Sequence, residues 1–88
     1  MYMYRVLTER INQDMIISLC NKYLGDCTIL NGQGLFNNEN EKSTIIEYST
    51  GTTQDELIRS LAHEIRTANS QEAVLIQKFN IDQFLVTG

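Results

Sequence analysis

The chain has 88 residues, enough for one domain and few enough that a large share of its surface stays exposed after folding. Seven basic residues against eleven acidic ones give a formal charge of -4, which argues against non-specific nucleic-acid binding, a property of clustered Lys and Arg. Two cysteines and one histidine offer neither a disulfide framework nor a zinc-ligand spacing, so Cys20 and Cys27 are expected as reduced thiols in or near a core.

No apolar run reaches the length of a membrane span, and Met-Tyr-Met-Tyr-Arg has neither the basic start nor the apolar middle of a secretory signal. A cytoplasmic protein is the expectation. A domain this small usually needs a disulfide, a metal or oligomerisation to stabilise it, and here self-association is the supplement that the residues leave open.

Tyr2 to Thr8 alternates Tyr2, Tyr4 and Val6 with Met3, Arg5 and Leu7, which predicts a first strand apolar on both sides. Glu9 to Asn12 is the connection. Asn12 is placed to cap a helix whose apolar positions Met15, Ile16, Leu19, Cys20, Tyr23 and Leu24 form one stripe at helical period. Asp14 suits the first turn of that helix, and Gly25 is its natural stop.

Cys27 to Phe36 predicts the second strand, interrupted by Gly32 and Gly34, where a bulge or a close approach is expected. Asn37 to Lys42 reads as a polar turn and Ser43 to Ser49 as the third strand, with Glu47 a charge in mid-strand that must face solvent or a partner. This hairpin is expected at the centre of the sheet. Thr53-Gln54-Asp55-Glu56 has the pattern of a capping box. Behind it Leu57, Ile58, Leu61, Ala62 and Ile65 make the stripe of a second helix, ended by Ala68-Asn69-Ser70.

Ala73 to Phe79 predicts the fourth strand. Its run Ala73-Val74-Leu75-Ile76 suits a central strand buried on both faces, or one with a subunit behind it. Phe84-Leu85-Val86 is either a short fifth strand at an edge or a tail that packs on a neighbour. The order is β-α-β-β-α-β, an α+β ferredoxin-like domain in which two helices cover one face of an antiparallel four-stranded sheet. Apolar residues of both parities in the first and fourth strands predict that the open face is covered by another copy of the chain.

Thr28-Ile29-Leu30-Asn31-Gly32-Gln33-Gly34-Leu35-Phe36, the charged turn, Ser43-Thr44-Ile45-Ile46-Glu47 and Ser70-Gln71-Glu72-Ala73-Val74-Leu75 together resemble the PII-like superfamily, and within it small ferredoxin-like bacterial families. The resemblance implies a homo-oligomer, trimer or dimer, that binds a nucleotide or another small anion between subunits, using the loop between strands two and three. The short loop at Asn37 to Lys42 and the lack of a Lys/Arg-rich phosphate-binding stretch depart from the signalling PII proteins, so their kind of ATP sensing is not expected.

The candidate ligand-binding residues are Asn31, Gly32, Gln33 and Gly34, whose amides would form a nest for an anion unless the glycines merely bend the strand. Arg5, Arg66 and Lys78 are the candidate cations for a phosphate or carboxylate. The tyrosines Tyr2, Tyr4, Tyr23 and Tyr48 would either stack on a base or fill the core. His63, off the apolar stripe beside Arg59 and Arg66, reads as a solvated surface residue. No catalytic constellation stands out, and no metal or cofactor is implied. The resemblance, together with the lack of a catalytic constellation, therefore implies a non-enzymatic, PII-like small-molecule-binding oligomer acting as regulator or sequestering sponge. A protein-interaction module or inhibitor, and a cofactor-free ferredoxin-like enzyme, are the competing classes.

Overall fold

A computed structural model describes residues 1–36 and 38–88; the part of the expected turn at Asn37 lies outside the described residues. The elements follow as β1 Tyr2–Glu9, α1 Gln13–Tyr23, β2 Thr28–Phe36, β3 Glu39–Thr50, α2 Asp55–Ala68 and β4 Leu75–Asn80. All strand pairs are antiparallel and their order across the sheet is β2-β3-β1-β4. This is the ferredoxin-like α+β fold.

The order corrects one expectation. The hairpin does not occupy the middle of the sheet, and β4 is not central: β1 and β3 are the inner strands. Each β-α-β crossover skips one position, so the first leaves a slot that β3 fills and the second carries the chain over β1 to the far edge. The apolar run that suggested a central strand has another cause. Ala73 and Val74 precede β4, Ile76 packs on the core, and Leu75 lies on the opposite, open face, 54% exposed.

Period-two alternation sends Tyr4, Val6 and Thr8 of β1, and Thr44 and Ile46 of β3, to the helix side, where all five are buried. Against them α1 buries Ile16 and Cys20, and α2 buries Ile58, Leu61, Ala62 and Ile65. Each large apolar side chain withdrawn in this way contributes about 1.5–3 kcal/mol before entropy is counted. The helix-side core is thus complete within one chain.

The helix ends are close to the expected places but are held differently. Asn12 stands at the N-cap of α1 in the left-handed region (φ 53°) and makes no side-chain cap; its amide nitrogen donates instead to Asn69 Oδ1 at 3.0 Å. Gly25 takes φ 72°, and its N–H closes back on the Cys20 carbonyl at 3.2 Å, as a C-terminal glycine should. The capping box does not form. The N-cap of α2 is Gln54, one residue after the expected cap Thr53, and its N–H donates to the Tyr4 hydroxyl at 2.8 Å. The buried phenol of Tyr4 needs polar partners and finds them at this helix end, displacing the local cap. The end at Ala68-Asn69-Ser70 is as expected, with Ser70 in the left-handed region (φ 54°).

The hairpin is longer than expected. The polar residues Glu39 to Lys42, read as turn, continue β3 and pair with Phe36 to Gln33. The outer half of the ribbon extends past the helices, so its residues carry no burial pattern that could announce a strand. Backbone pairing alone defines it. Asn38, with φ 63°, occupies a conformation that Asn tolerates well. Phe84-Leu85-Val86 forms no strand; after the bond from Ile81 N–H to the Met1 carbonyl (3.0 Å), residues 82–88 carry no regular secondary structure and are exposed.

Candidate functional site

The register places Met3, Arg5 and Leu7 of β1, Leu30 of β2, Ile45 and Glu47 of β3, and Leu75, Gln77 and Phe79 of β4 on the face without helices. Leu30, Leu75 and Phe79 are exposed there. Arg5 and Glu47 are cross-strand partners near the middle of this face, joined by two guanidinium N–H bonds to Glu47 Oε2 at 3.0 and 2.7 Å. The Arg5 guanidinium also lies 5.5 Å from the Phe79 ring centre. Arg5 is therefore neutralised within its own chain rather than free for an anion.

A recess of about 280 Å³ opens at one end of this sheet. It exists because β4 begins at Leu75, opposite Leu7, and leaves Thr8 and Glu9 of β1 without a β4 partner. Glu41, Lys42, Ser43 and Gln71 complete its wall. Gln71 is buried (7% exposed) and immobilised: Thr8 Oγ1 donates to its Oε1 at 2.6 Å, and Asn69 Nδ2 donates to the same oxygen at 2.9 Å. Arg66 stands behind this wall, its Nη1 donating to the Gln71 carbonyl at 3.4 Å. Arg10 braces the hairpin base, donating to the Gly32 carbonyl at 2.8 Å and the Ser43 carbonyl at 3.4 Å. The walls facing the recess carry two carboxylates, Glu9 and Glu41, against the single ammonium of Lys42.

A second recess, about 230 Å³, lies on the helix side beside β4, lined by Tyr4, Asp55, Arg59, Ile76 and Lys78. The Tyr4 hydroxyl donates to Asp55 Oδ1, and Lys78 Nζ sits 3.1 Å from the same carboxylate oxygen. The Tyr4 hydroxyl and then the Lys78 ammonium hold the Asp55 carboxyl below its ordinary range. Asp55 in turn raises Lys78. The ammonium also lies 4.8 Å from the Tyr2 ring centre, a cation–π contact.

The candidate residues do not converge in one chain. Lys78 belongs to the Tyr4–Asp55 cluster, Arg66 to the back of the rim recess, and Arg5 to the open face. Asn31, Gly32, Gln33 and Gly34 lie along β2 in one-to-one register with Thr44, Ser43, Lys42 and Glu41. That unbroken register removes the expected bulge, and neither glycine takes a positive φ, so the four residues run as regular strand, their amides pointing alternately to β3 and to the outer edge, and form no nest. Asn31 Oδ1 accepts from Gln13 Nε2 at 3.0 Å, and Gln13 Oε1 accepts from the Thr44 hydroxyl at 2.9 Å. This relay ties β2 and β3 to the start of α1. Gly32 answers to a close approach instead: a Cβ there would lie 2.8 Å from Ser43 Oγ.

Sequence reasoning missed Thr8, Gln71 and Arg10, since Thr and Gln in apolar neighbourhoods carry no periodic signal. It left Tyr4 undecided between stacking and core. Cys20 and Cys27 are both free thiols. Burial pushes Cys20 up to about 12 and also raises Cys27, so both stay protonated near neutral pH. His63 is exposed, as expected. Among the described residues no group of three or more His, Cys, Asp or Glu could hold a metal ion, and no helix is long and apolar enough to cross a membrane.

No protein-family profile and no curated protein sequence matches the chain. Solved structures do match it in fold. CutA from Synechococcus elongatus PCC7942, complexed with Bis-Tris, superposes with a TM-score of 0.62 at 7% identity, over 91% of this chain and 78% of that one. A DUF3240 family protein from Shewanella baltica OS155 gives 0.61 at 10% identity, over 99% and 96% of the two chains. CPII from Thiomonas intermedia K12, a nitrogen regulatory PII-like protein bound to ADP, AMP and bicarbonate, gives 0.60 at 12% identity, over 96% and 94%. A de novo designed protein, Foldit4, shares the architecture at 0.53, so the architecture by itself specifies no activity. The fold of this chain is the one carried by CutA and by the PII-like nitrogen regulator CPII.

Proposed function

We propose that this protein is a non-enzymatic homo-oligomer that binds a small anionic or nucleotide-like ligand between its subunits, as a regulator or a sequestering sponge. The observation that carries the proposal is the open sheet face. It is apolar, its central charges Arg5 and Glu47 neutralise each other, and the rim recess lies at its end. A second copy on that face buries Leu30, Leu75 and Phe79 and walls in the recess. The nucleotide and bicarbonate bound to CPII support the ligand class.

The charge balance makes the second copy necessary for binding as well as for stability. Within one chain the recess faces a ligand with Glu9 and Glu41 against Lys42 alone, while Arg66 and Arg10 are engaged by backbone carbonyls. An anion needs a further cation that a neighbouring subunit brings. Arg59, exposed beside β4, is a cation of this chain placed near a sheet edge, whereas Lys78 next to it is already paired with Asp55.

Thermal denaturation and calorimetry against a panel of nucleotides, cyclic dinucleotides and bicarbonate test the reading. The expected result is a raised Tm with at least one member and a stoichiometry tied to the oligomer. No stabilisation by any member contradicts it. A protein-docking role is the second reading, favoured by the free edge of β2 and the exposed Phe84-Leu85-Val86. A stoichiometric foreign protein in place of self-association would select it.

A further inference from the structure

Two unsatisfied features lie at opposite sides of the sheet. At one side β2 is the end strand. Its residues Thr28 to Gly34 include no Lys, Arg, Asp, Glu or Pro, and the ladder has no bulge. These are the devices by which exposed edges avoid pairing with other chains, and β2 has none of them. The edge strand β4, by contrast, carries Lys78.

At the other side the chain leaves β4, makes the Ile81–Met1 bond, and runs on as an exposed segment without regular secondary structure. Phe84, Leu85 and Val86 are 87%, 90% and 91% exposed, the most exposed large apolar residues among the described ones. A run of three such side chains, aromatic or branched, has strand propensity and nothing in its own chain to pair with.

The segment cannot reach its own β2. Three strand spacings separate β4 from β2, about 14 Å. Crossing them consumes about four residues at about 3.4 Å each, before the chain turns onto the outer edge. Starting at Ile81, that leaves too little chain to lay Phe84 to Val86 along β2. A second copy has no such restriction.

We infer that the segment around Phe84-Leu85-Val86 of one copy adds as a strand to the outer edge of β2 of another, over Thr28 to Gly34. Backbone bonds supply the affinity and side chains the register, as in other strand-addition contacts. The bare backbone at Gly34, where an added Cβ would meet nothing within 4 Å, leaves room for the Phe84 ring, the way an aromatic covers an edge glycine. Donor and acceptor are different surfaces, so the contact is head-to-tail and closes into a ring when the rotation between copies permits. The inference rests on the self-association proposed above and assigns the segment that links the copies.

The full chain and the variant Phe84→Asp/Val86→Asp are compared by sedimentation across a concentration series, with amide hydrogen exchange on both. Since Phe84 and Val86 are 87% and 91% exposed in their own chain, the variant is expected to keep its fold, and circular dichroism verifies it. In the wild-type assembly the amides of 84–86 and of β2 are expected to exchange more than about tenfold slower than open peptide. The variant is expected to dissociate at concentrations about tenfold higher or more. Equal assembly by the two proteins, or fast exchange at 84–86 within a stable assembly, overturns the arm and leaves the covered sheet face standing. A wild-type monomer overturns both.

Discussion

Gly32 lies opposite Ser43 on the open face, and an added Cβ would meet Ser43 Oγ at 2.8 Å and Ile45 Cδ1 at 3.1 Å. Both are ends of rotatable side chains that can turn aside, so Gly32→Ala is expected to lower stability only modestly, by about 1 kcal/mol or less. Ser43→Ala in the same chain should recover part of it. Denaturant unfolding of the two single variants and the double variant measures the coupling, and additive effects would contradict the close approach. The glycine was visible in the sequence but its reason was not. A bulge, a nest and a crowded cross-strand neighbour all leave the same letter, and only the register separates them. Cys20 was legible in full, because its place on the α1 stripe already implied burial.

At the scale of elements, the start of α2 shows how tertiary contacts displace a local rule. Thr53-Gln54-Asp55-Glu56 has the letters of a capping box, yet the structure joins Gln54 N–H, the Tyr4 hydroxyl, Asp55 and Lys78 into one network. The buried phenol is the stronger constraint, and it comes from a strand 51 residues away in the chain. Asp55 is held below its ordinary range in the folded state, chiefly by the Tyr4 hydroxyl. Its contribution is therefore present above the ordinary aspartate range and is lost as pH falls through the lowered folded value. Asp55→Asn is expected to lower Tm near neutral pH and to flatten the decline of Tm on acidification. An unchanged acid limb would show that the network does not couple to folding. The extended hairpin was illegible for a related reason: Glu39 to Lys42 pair by backbone alone, without a buried face, and no periodicity reports such pairing.

For the molecule as a whole, the order β-α-β-β-α-β and the two helical stripes followed directly from period and turn residues. The sheet order did not, because β4 reads as central when the open face is itself apolar. That misreading and the functional proposal share one cause. Leu7, Leu30, Ile45, Leu75 and Phe79 occupy the face that a monomer would give to water. The 43 × 27 × 22 Å particle also projects a two-stranded ribbon past its helices, and such a ribbon is only marginally stable alone. Both features call for the same remedy, a second copy of the chain. The proposed site in the rim recess, with two carboxylates against the single ammonium of Lys42, calls for it as well.

Size-exclusion chromatography with multi-angle light scattering on the purified chain, at micromolar concentration, tests this most directly. The account predicts a single species whose mass is a small whole multiple of 10.1 kDa. A stable 10.1 kDa species at that concentration would leave the apolar face uncovered and contradict both the assembly and the site between subunits.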